Sequence, residues 1–535
     1  MASFTHPAIG QIVCKEVEGC TQFLGVKYAT IADRFAPPEL VQYDGGGIYA
    51  AKYGPQVISP PEGVDIEFGF IQRSLPKPDF PGVSDLDGLS LNITVPGQAN
   101  TISSTNNLPV LVFIHGGGFS IGANWWPQYD FVRLVKLSAD LGSPIIGISI
   151  NYRLGAPGFL TSPELRAAGK KPNNGLRDQQ MALQWIKKYI GGFGGSPDNV
   201  TVMGESAGGV STGYLLFSEQ PLAKRLICLG GCPPLLGQLS MEAADQIANH
   251  ATTCLGVEGE HPSELVQGLL EAPMDKFWTA FPPTLPLLPV IDGDIIPREV
   301  TFELFSQGQE AMPSLKWIEG LMIGDSQLDG SIMAYLGLLS RKVGIATAFR
   351  SSATKSLLDY PDSLASLLDH YSLSESATRT LTDDEALFKI LAFISDVAFF
   401  MPAIELASNF PGDSFVFAFN ERNPWEGLFK GHASHILDVA FLFQNFNESL
   451  DEAQRASAEA FGRDVISFVN GQAPWKAFNA GAHGVGVYTN GGREYVEPPA
   501  QEKTGRSPFV FQLAKGENGP GMGRLMQVFT DFIAG

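Results

Sequence analysis

Val200-Thr201-Val202-Met203-Gly204-Glu205-Ser206-Ala207-Gly208-Gly209 carries three signals in succession. Val200 to Met203 is an apolar run of strand type. Gly204 and Gly208 frame Ser206 as G-x-S-x-G. GVSTGYLLF (209–217) then has the apolar spacing of a helix. A strand-to-helix turn this tight needs small flanking residues and pushes its serine to the tip. There the hydroxyl is exposed, and the helix N-terminus favours developing negative charge. In this setting the stretch reads as a nucleophile elbow, not a plain glycine turn. Upstream, PVLVFIHGGG (109–118) is a buried-strand run ending in glycines, and SPIIGISINYR (143–153) is another strand. Between them and the elbow, GLRDQQMALQWIKKYI (175–190) has helical periodicity, with Met181, Leu183, Trp185 and Ile186 on one broad face. Continuous apolar strands alternating with helices predict an α/β fold whose mostly parallel sheet is covered on both sides.

His115-Gly116-Gly117-Gly118-Phe119 follows the strand run. Consecutive glycines let backbone N–H groups approach a carbonyl oxygen with no side chain between. The N–H groups of Gly117, Gly118 and Ala207 are therefore the expected oxyanion hole. A phosphate loop is excluded because the G-K-[ST] element is missing. His115, at the strand end, reads as structural.

The 535 residues carry a net charge of −20, which argues against a nucleic-acid partner. Five cysteines at irregular spacing (Cys14, Cys20, Cys228, Cys232, Cys254) form neither a disulfide framework nor a metal site. The start, MASFTHPAIG, lacks the basic and apolar regions of a signal peptide. With the cysteine pattern this leads to an expected cytoplasmic location, and the sequons at Asn92, Asn199 and Asn447 carry little weight. Leu387–Ile404 contains Lys389, Asp396 and Pro402; it reads as too short and too polar for a membrane span and better as a core helix. No linker divides the chain. The expectation is one domain over 1–535, with a helical insertion at about 239–402 enclosing the strand Leu321–Gly324. FVFAFN (415–420) is a late strand, and QLAKGENGPG and YTNGGREYVEPPAQEK read as surface loops.

In these motifs, in this order, the chain resembles the type-B carboxylesterase/lipase family, the cholinesterase-like α/β-hydrolases, and within it the fungal intracellular type. Phe23-Leu24-Gly25-Val26-Lys27-Tyr28-Ala29, Asp87-Gly88-Leu89-Ser90-Leu91-Asn92, Asn151-Tyr152-Arg153-Leu154-Gly155, Asn174-Gly175-Leu176-Arg177-Asp178-Gln179-Gln180, Phe193-Gly194-Gly195-Ser196-Pro197 and Pro289-Val290-Ile291-Asp292-Gly293-Asp294 carry the likeness besides the elbow. There are departures. Gly88 stands where the family has a cysteine, no cysteine follows Cys254, and Gly230 replaces a serine whose hydroxyl serves a hydrogen-bond network near Glu205.

The fold requires the order serine, acid, histidine. The acid belongs on a loop after a strand, here Asp325-Ser326-Gln327-Leu328-Asp329-Gly330-Ser331 after Leu321–Gly324. The family register implies Asp329, with Asp325 second. Reading back from Phe441-Leu442-Phe443, the family pattern implies His435 as the base and Asp438 at an acidic position beside it; His432 then lies at the site rim. The resemblance implies a serine carboxylic-ester hydrolase. Ser206 would attack an apolar ester, His435 would move the proton, and water would clear the acyl-enzyme. No metal or organic cofactor is implied. Among aromatics near the motifs (Phe119, Trp125, Trp126, Phe277, Trp278, Phe281, Trp425), Phe119 and Trp425 are the expected pocket residues. Acyl transfer or lactone chemistry would share the first half-reaction. A non-catalytic binding member would lack the serine, and a secreted lipase would carry a leader. The sequence gives no reading of the natural ester or the oligomeric state.

Overall fold

The structure is a computed structural model; it describes residues 1–282, 285–498 and 503–535. The strands that matter are β1 (Ala2–His6), β2 (Gly10–Val17), β3 (Cys20–Lys27), β4 (Ser90–Pro96), β5 (Leu108–Ile114), β6 (Ile146–Ile150), β7 (Gly195–Glu205), β8 (Arg225–Leu229), β9 (Gly320–Ser326), β10 (Asp413–Phe419), β11 (Val485–Thr489) and β12 (Gly492–Val496). They form one sheet in the order β1-β2-β3-β4-β6-β5-β7-β8-β9-β10-β11-β12, and the short strand Ile48–Tyr49 pairs with β2. From β6 to β11 every pair is parallel, while both edges are antiparallel. This is the α/β-hydrolase arrangement.

Central strands are apolar throughout because each face is buried. Val110, Val112, Val200 and Val202 enter one core with Leu183, Trp185 and Ile186 of the helix Asn174–Tyr189. Leu111, Phe113 and Met203 enter the other, against Leu134, Val135 and Phe461. The predicted helical face holds, with Met181 at its half-buried edge.

The family-like motifs are clamps on this scaffold. Arg153 donates to both carboxylate oxygens of Asp178 at 2.6 and 2.8 Å, with both side chains buried. Its Nη1 also donates to the Ala36 carbonyl at 2.6 Å. Asn173 exchanges two hydrogen bonds with the Val290 backbone, at 2.7 and 2.8 Å. A β-carbon at Gly88 would lie 2.9 Å from the Val57 Cα, so the family's cysteine would not fit this backbone.

Three expectations are corrected. The tract 488–503 is not only loop: β11 and β12 form a hairpin across Asn490-Gly491, both at positive φ. An Asn-Gly pair is the usual two-residue hairpin turn, and that signal stood in the sequence. Pro499 to Glu502 of that tract lie outside the described residues. QLAKGENGPG begins inside a helix, Phe509–Lys515. Leu387–Ile404 sits in a continuous helix, Asp383–Asn409, of 27 residues, long and apolar enough by composition to cross a membrane. It does lie in the core, since 67% of its apolar stretch is buried. A π-turn at Ser395–Phe400 accommodates Pro402, which has no N–H to offer an α-helical ladder.

All five cysteines are free thiols, and all but Cys254 are buried. Burial raises Cys14 and Cys20 to about 11 and Cys228 to about 12. A thiol reagent at pH 8 is therefore expected to label Cys254 first in the native protein and all five after denaturation without reductant. Rapid labelling of several thiols in the native state would contradict this packing.

Candidate active site

β7 ends at Glu205, and Ser206 turns the chain into the helix Ala207–Tyr214 with φ 53° and ψ −120°. The turn closes through backbone contact. A β-carbon at Gly204 would lie 2.0 Å from the Gly208 carbonyl oxygen, and one at Gly208 would lie 2.0 Å from the Ile114 carbonyl oxygen. Ser206 remains half-exposed while Glu205 is fully buried.

The glycine loop follows β5. Among the described residues no acceptor takes the N–H of Gly117 or Gly118, and Ala207 is the first residue of its helix, where N–H groups lack intrahelical partners. Gly118 has φ 59°, and a β-carbon there would meet open space. His115 is fully buried and stacked on Tyr152 at 4.6 Å, and burial lowers its pKa to about 4. It is structural, as expected.

The acid loop leaves β9 and is joined to the histidine loop at several points. Leu328 N–H donates to the Ala433 carbonyl at 2.8 Å, and His435 N–H donates to Ser331 Oγ at 2.9 Å. The result is a 2.7 Å contact between His435 Nδ1 and Asp329 Oδ1, both side chains 2% exposed or less. The second oxygen, Asp329 Oδ2, accepts the Ser326 N–H at 2.7 Å. Asp325, the second-ranked acid, instead meets Arg506 at 2.8 Å. At Gly230 a β-carbon would lie 3.3 Å from Asp329 Oδ1 and 3.4 Å from His435 Cε1, so the missing family serine leaves its space beside the pair.

His435 Nε2 lies 3.2 Å from Glu205 Oε1, outside hydrogen-bond geometry, and no hydrogen bond joins His435 to Ser206. Such bonds are often long or absent before substrate binds. Glu205 and Asp438 are raised well above the usual carboxyl range, first by burial and then by neighbouring carboxylates. Glu67, on the helix Gly63–Ile71, is raised to about 7 by burial, against the lowering effect of hydrogen bonds donated by Gln128 and Tyr129. Glu67 and Arg506 were not singled out from the sequence: each comes from a distant segment, and nothing local marks it.

The aromatic expectations are corrected. Phe119 is fully buried against Phe159 at 4.7 Å, and Trp425 packs on Phe446 at 5.1 Å. Both are buried members of the two apolar cores, where a large ring removes the most area from water. Trp126 stacks on Tyr129 at 6.1 Å, and Phe277 packs on Phe35 at 6.2 Å. The ring against His435 is Phe399, edge-on at 5.4 Å. His432 is exposed at the rim and tilts on Phe388 at 5.0 Å; desolvation and then Arg422 lower its pKa.

Residues 7–487 match the model of the Carboxylesterase family. Lipase 4 of Diutina rugosa is 27% identical over 85% of this chain and 84% of its own length. Lipase 3 of Yarrowia lipolytica is 28% identical over 90% and 89%. Acylcarnitine hydrolase of Mus musculus is 27% identical over 80% and 74%. Among solved structures, a PNB esterase covers 94% of this chain and 98% of its own, with TM-score 0.68 and 23% identity, a likeness of fold.

The raised Glu67 pKa has a sign. The folded chain holds this proton more tightly than the unfolded chain does, where the value is near 4.5. That contribution to stability is present below about 4.5 and is lost as pH rises through about 7. Glu67→Gln, neutral at every pH, is expected to match the parent protein at pH 5 and exceed it at pH 8.5 in urea midpoint. An equal offset at both pH values would show a carboxylate that is already ionised at pH 5.

Proposed function

Because this chain belongs to the carboxylesterase family and is a carboxylic ester hydrolase, we propose that its hydrolysis runs through an acyl-enzyme on Ser206, with His435 as base and Asp329 as acid. The observation that carries this reading is the buried 2.7 Å contact of His435 Nδ1 with Asp329 Oδ1, the same imidazole lying 3.2 Å through Nε2 from Glu205, the residue before the strained turn at Ser206. Asp329 fixes the tautomer that leaves Nε2 free to accept a proton, and it stabilises the imidazolium that follows.

Ser206 Oγ attacks the ester carbonyl as its proton passes to His435 Nε2. The N–H groups of Gly117, Gly118 and Ala207 receive the oxyanion; one such donor is worth roughly 3 kcal/mol. His435 returns the proton to the leaving alcohol. A water molecule then repeats the sequence on the acyl group, and Ser206 is restored. Burial, and then neighbouring carboxylates, hold the Glu205 carboxyl well above its usual range, which disfavours a second negative charge beside the imidazole. The ring of Phe399 beside His435, and Phe388 beside His432, place apolar surface against the two histidines, which supports an apolar ester.

An organophosphonate is expected to label Ser206 alone, as mapped by mass spectrometry, and Ser206→Ala to be inactive. His435→Ala should lose a factor on the order of 10⁴ or more in turnover. His432→Ala should keep most of kcat and alter KM or the pH profile. Full activity in Ser206→Ala, or the two histidine variants exchanging behaviour, would refute the assignment.

A further inference from the structure

Behind the acid loop the C-terminal segment returns to the sheet and inserts Arg506, which is 5% exposed. Its guanidinium spends its donors on one small area. Nε donates to Asp325 Oδ2 at 2.8 Å, and Nη2 donates to the Asp325 backbone carbonyl at 2.7 Å. Nη1 donates to Asn420 Oδ1 at 2.7 Å and to the Thr504 carbonyl at 2.9 Å. The carbonyl of Asp325 and the N–H of Ser326 belong to one peptide unit. That N–H donates to Asp329 Oδ2 at 2.7 Å, and Asp329 Oδ1 meets His435 Nδ1 at the same distance. A rigid, planar peptide therefore carries a cation on its oxygen and the acid's carboxylate on its nitrogen. Fixing the oxygen fixes the direction of the N–H. Each charge also polarises the peptide in the sense that strengthens the other bond.

We propose that Arg506 is a positioning residue for hydrolysis: by holding the Asp325 carbonyl it aims the Ser326 N–H, which orients Asp329 toward His435. This rests on the assignment of Ser206, His435 and Asp329 given above. The surrounding charges agree with such a role. Asp325 and Asp396 interact electrostatically with Arg506, and Glu205 on β7, Asp325 and Asp438 on the helix Leu437–Leu442 interact with Asp329. Burial is the main cause that lifts Asp325 to about 7, and Arg506 opposes it. The ion pair with the Asp325 side chain and the bond to its backbone carbonyl are separable, because a side-chain substitution leaves the carbonyl in place.

The test uses the full chain with Arg506→Met, Arg506→Lys and Asp325→Asn. Competent sites are counted by the burst of p-nitrophenol from a p-nitrophenyl phosphonate, and kcat and KM are measured per competent site on p-nitrophenyl butyrate. Arg506→Met is expected to lower kcat per site by about 10-fold or more, since misplacement by 1 Å can cost 100-fold, with KM within about twofold of the parent. A merely structural role would reduce the number of competent sites and leave kcat per site unchanged. Arg506→Lys should recover part of the loss, because its ammonium still donates to a carbonyl. Asp325→Asn should keep kcat per site within a few-fold. Parental kcat per site in Arg506→Met, or a loss in Asp325→Asn equal to that in Arg506→Met, overturns the proposal. Should Arg506→Met not fold, Arg506→Lys must still lose more kcat per site than Asp325→Asn, and the reverse order overturns it. A parent protein that gives no phosphonate burst refutes the Ser206 assignment instead.

Discussion

The turn at Ser206 exists because three backbone segments touch where side chains would otherwise stand. The Gly208 carbonyl oxygen is 2.0 Å from where a Gly204 β-carbon would sit, and the Ile114 carbonyl oxygen is equally close to that of Gly208. With methyl groups at either site, the helix Ala207–Tyr214 would move off β5 and β7. The positive φ at Ser206 stores strain that this packing holds in place. Everything else in the site is measured from that point: the glycine loop follows the strand that Gly208 touches, the Asp329 loop leaves β9 two strands further along the sheet, and the His435 loop leaves β10 three strands further.

Around this turn the protein buries an unusual amount of acid. Glu67, Glu205, Asp325, Asp329 and Asp438 are each 3% exposed or less. Burial is the largest cause of the raised pKa of Glu67, Glu205, Asp325 and Asp438, and it outweighs the hydrogen bonds that lower Glu67, Asp325 and Asp438. Their environments differ. Asp329 has a backbone N–H on one oxygen and an imidazole on the other, whereas among the described residues neither oxygen of Glu205 has a hydrogen-bond partner. The arrangement costs stability in the low-dielectric interior, and the broad two-faced core supplies it.

Much of this was open to a reader of the chain. The elbow, the glycine loop and the strand–helix alternation are short-range patterns, dictated by sterics and by burial within about ten residues. The pairing of Asp329 with His435 was reachable through register, and the two side chains do meet at 2.7 Å. What misled was context. Trp425 and Phe119 flank motif residues yet pack into the core, while Phe399, far from any motif, faces His435. The hairpin β11–β12 carries its signal in Asn490-Gly491, but the polar composition around it reads as a loop.

The chain order and local chemistry of Ser206, Gly117, Gly118 and the alternating strands follow from covalent geometry and from the period of apolar residues; no distant contact is needed to read them. Which carboxyl meets His435, and which is diverted to Arg506, is another matter. Asp325 and Asp329 stand four positions apart with the same functional group, Asp325 near the end of β9 and Asp329 just beyond it, so the expected loop begins two residues later than the sequence suggests. They are told apart by partners more than a hundred residues away, His435 for one and Arg506 for the other. Their pairing is settled only when β9, the histidine loop and the C-terminal segment are brought together, because hydrogen bonds and desolvation act through space and not along the chain.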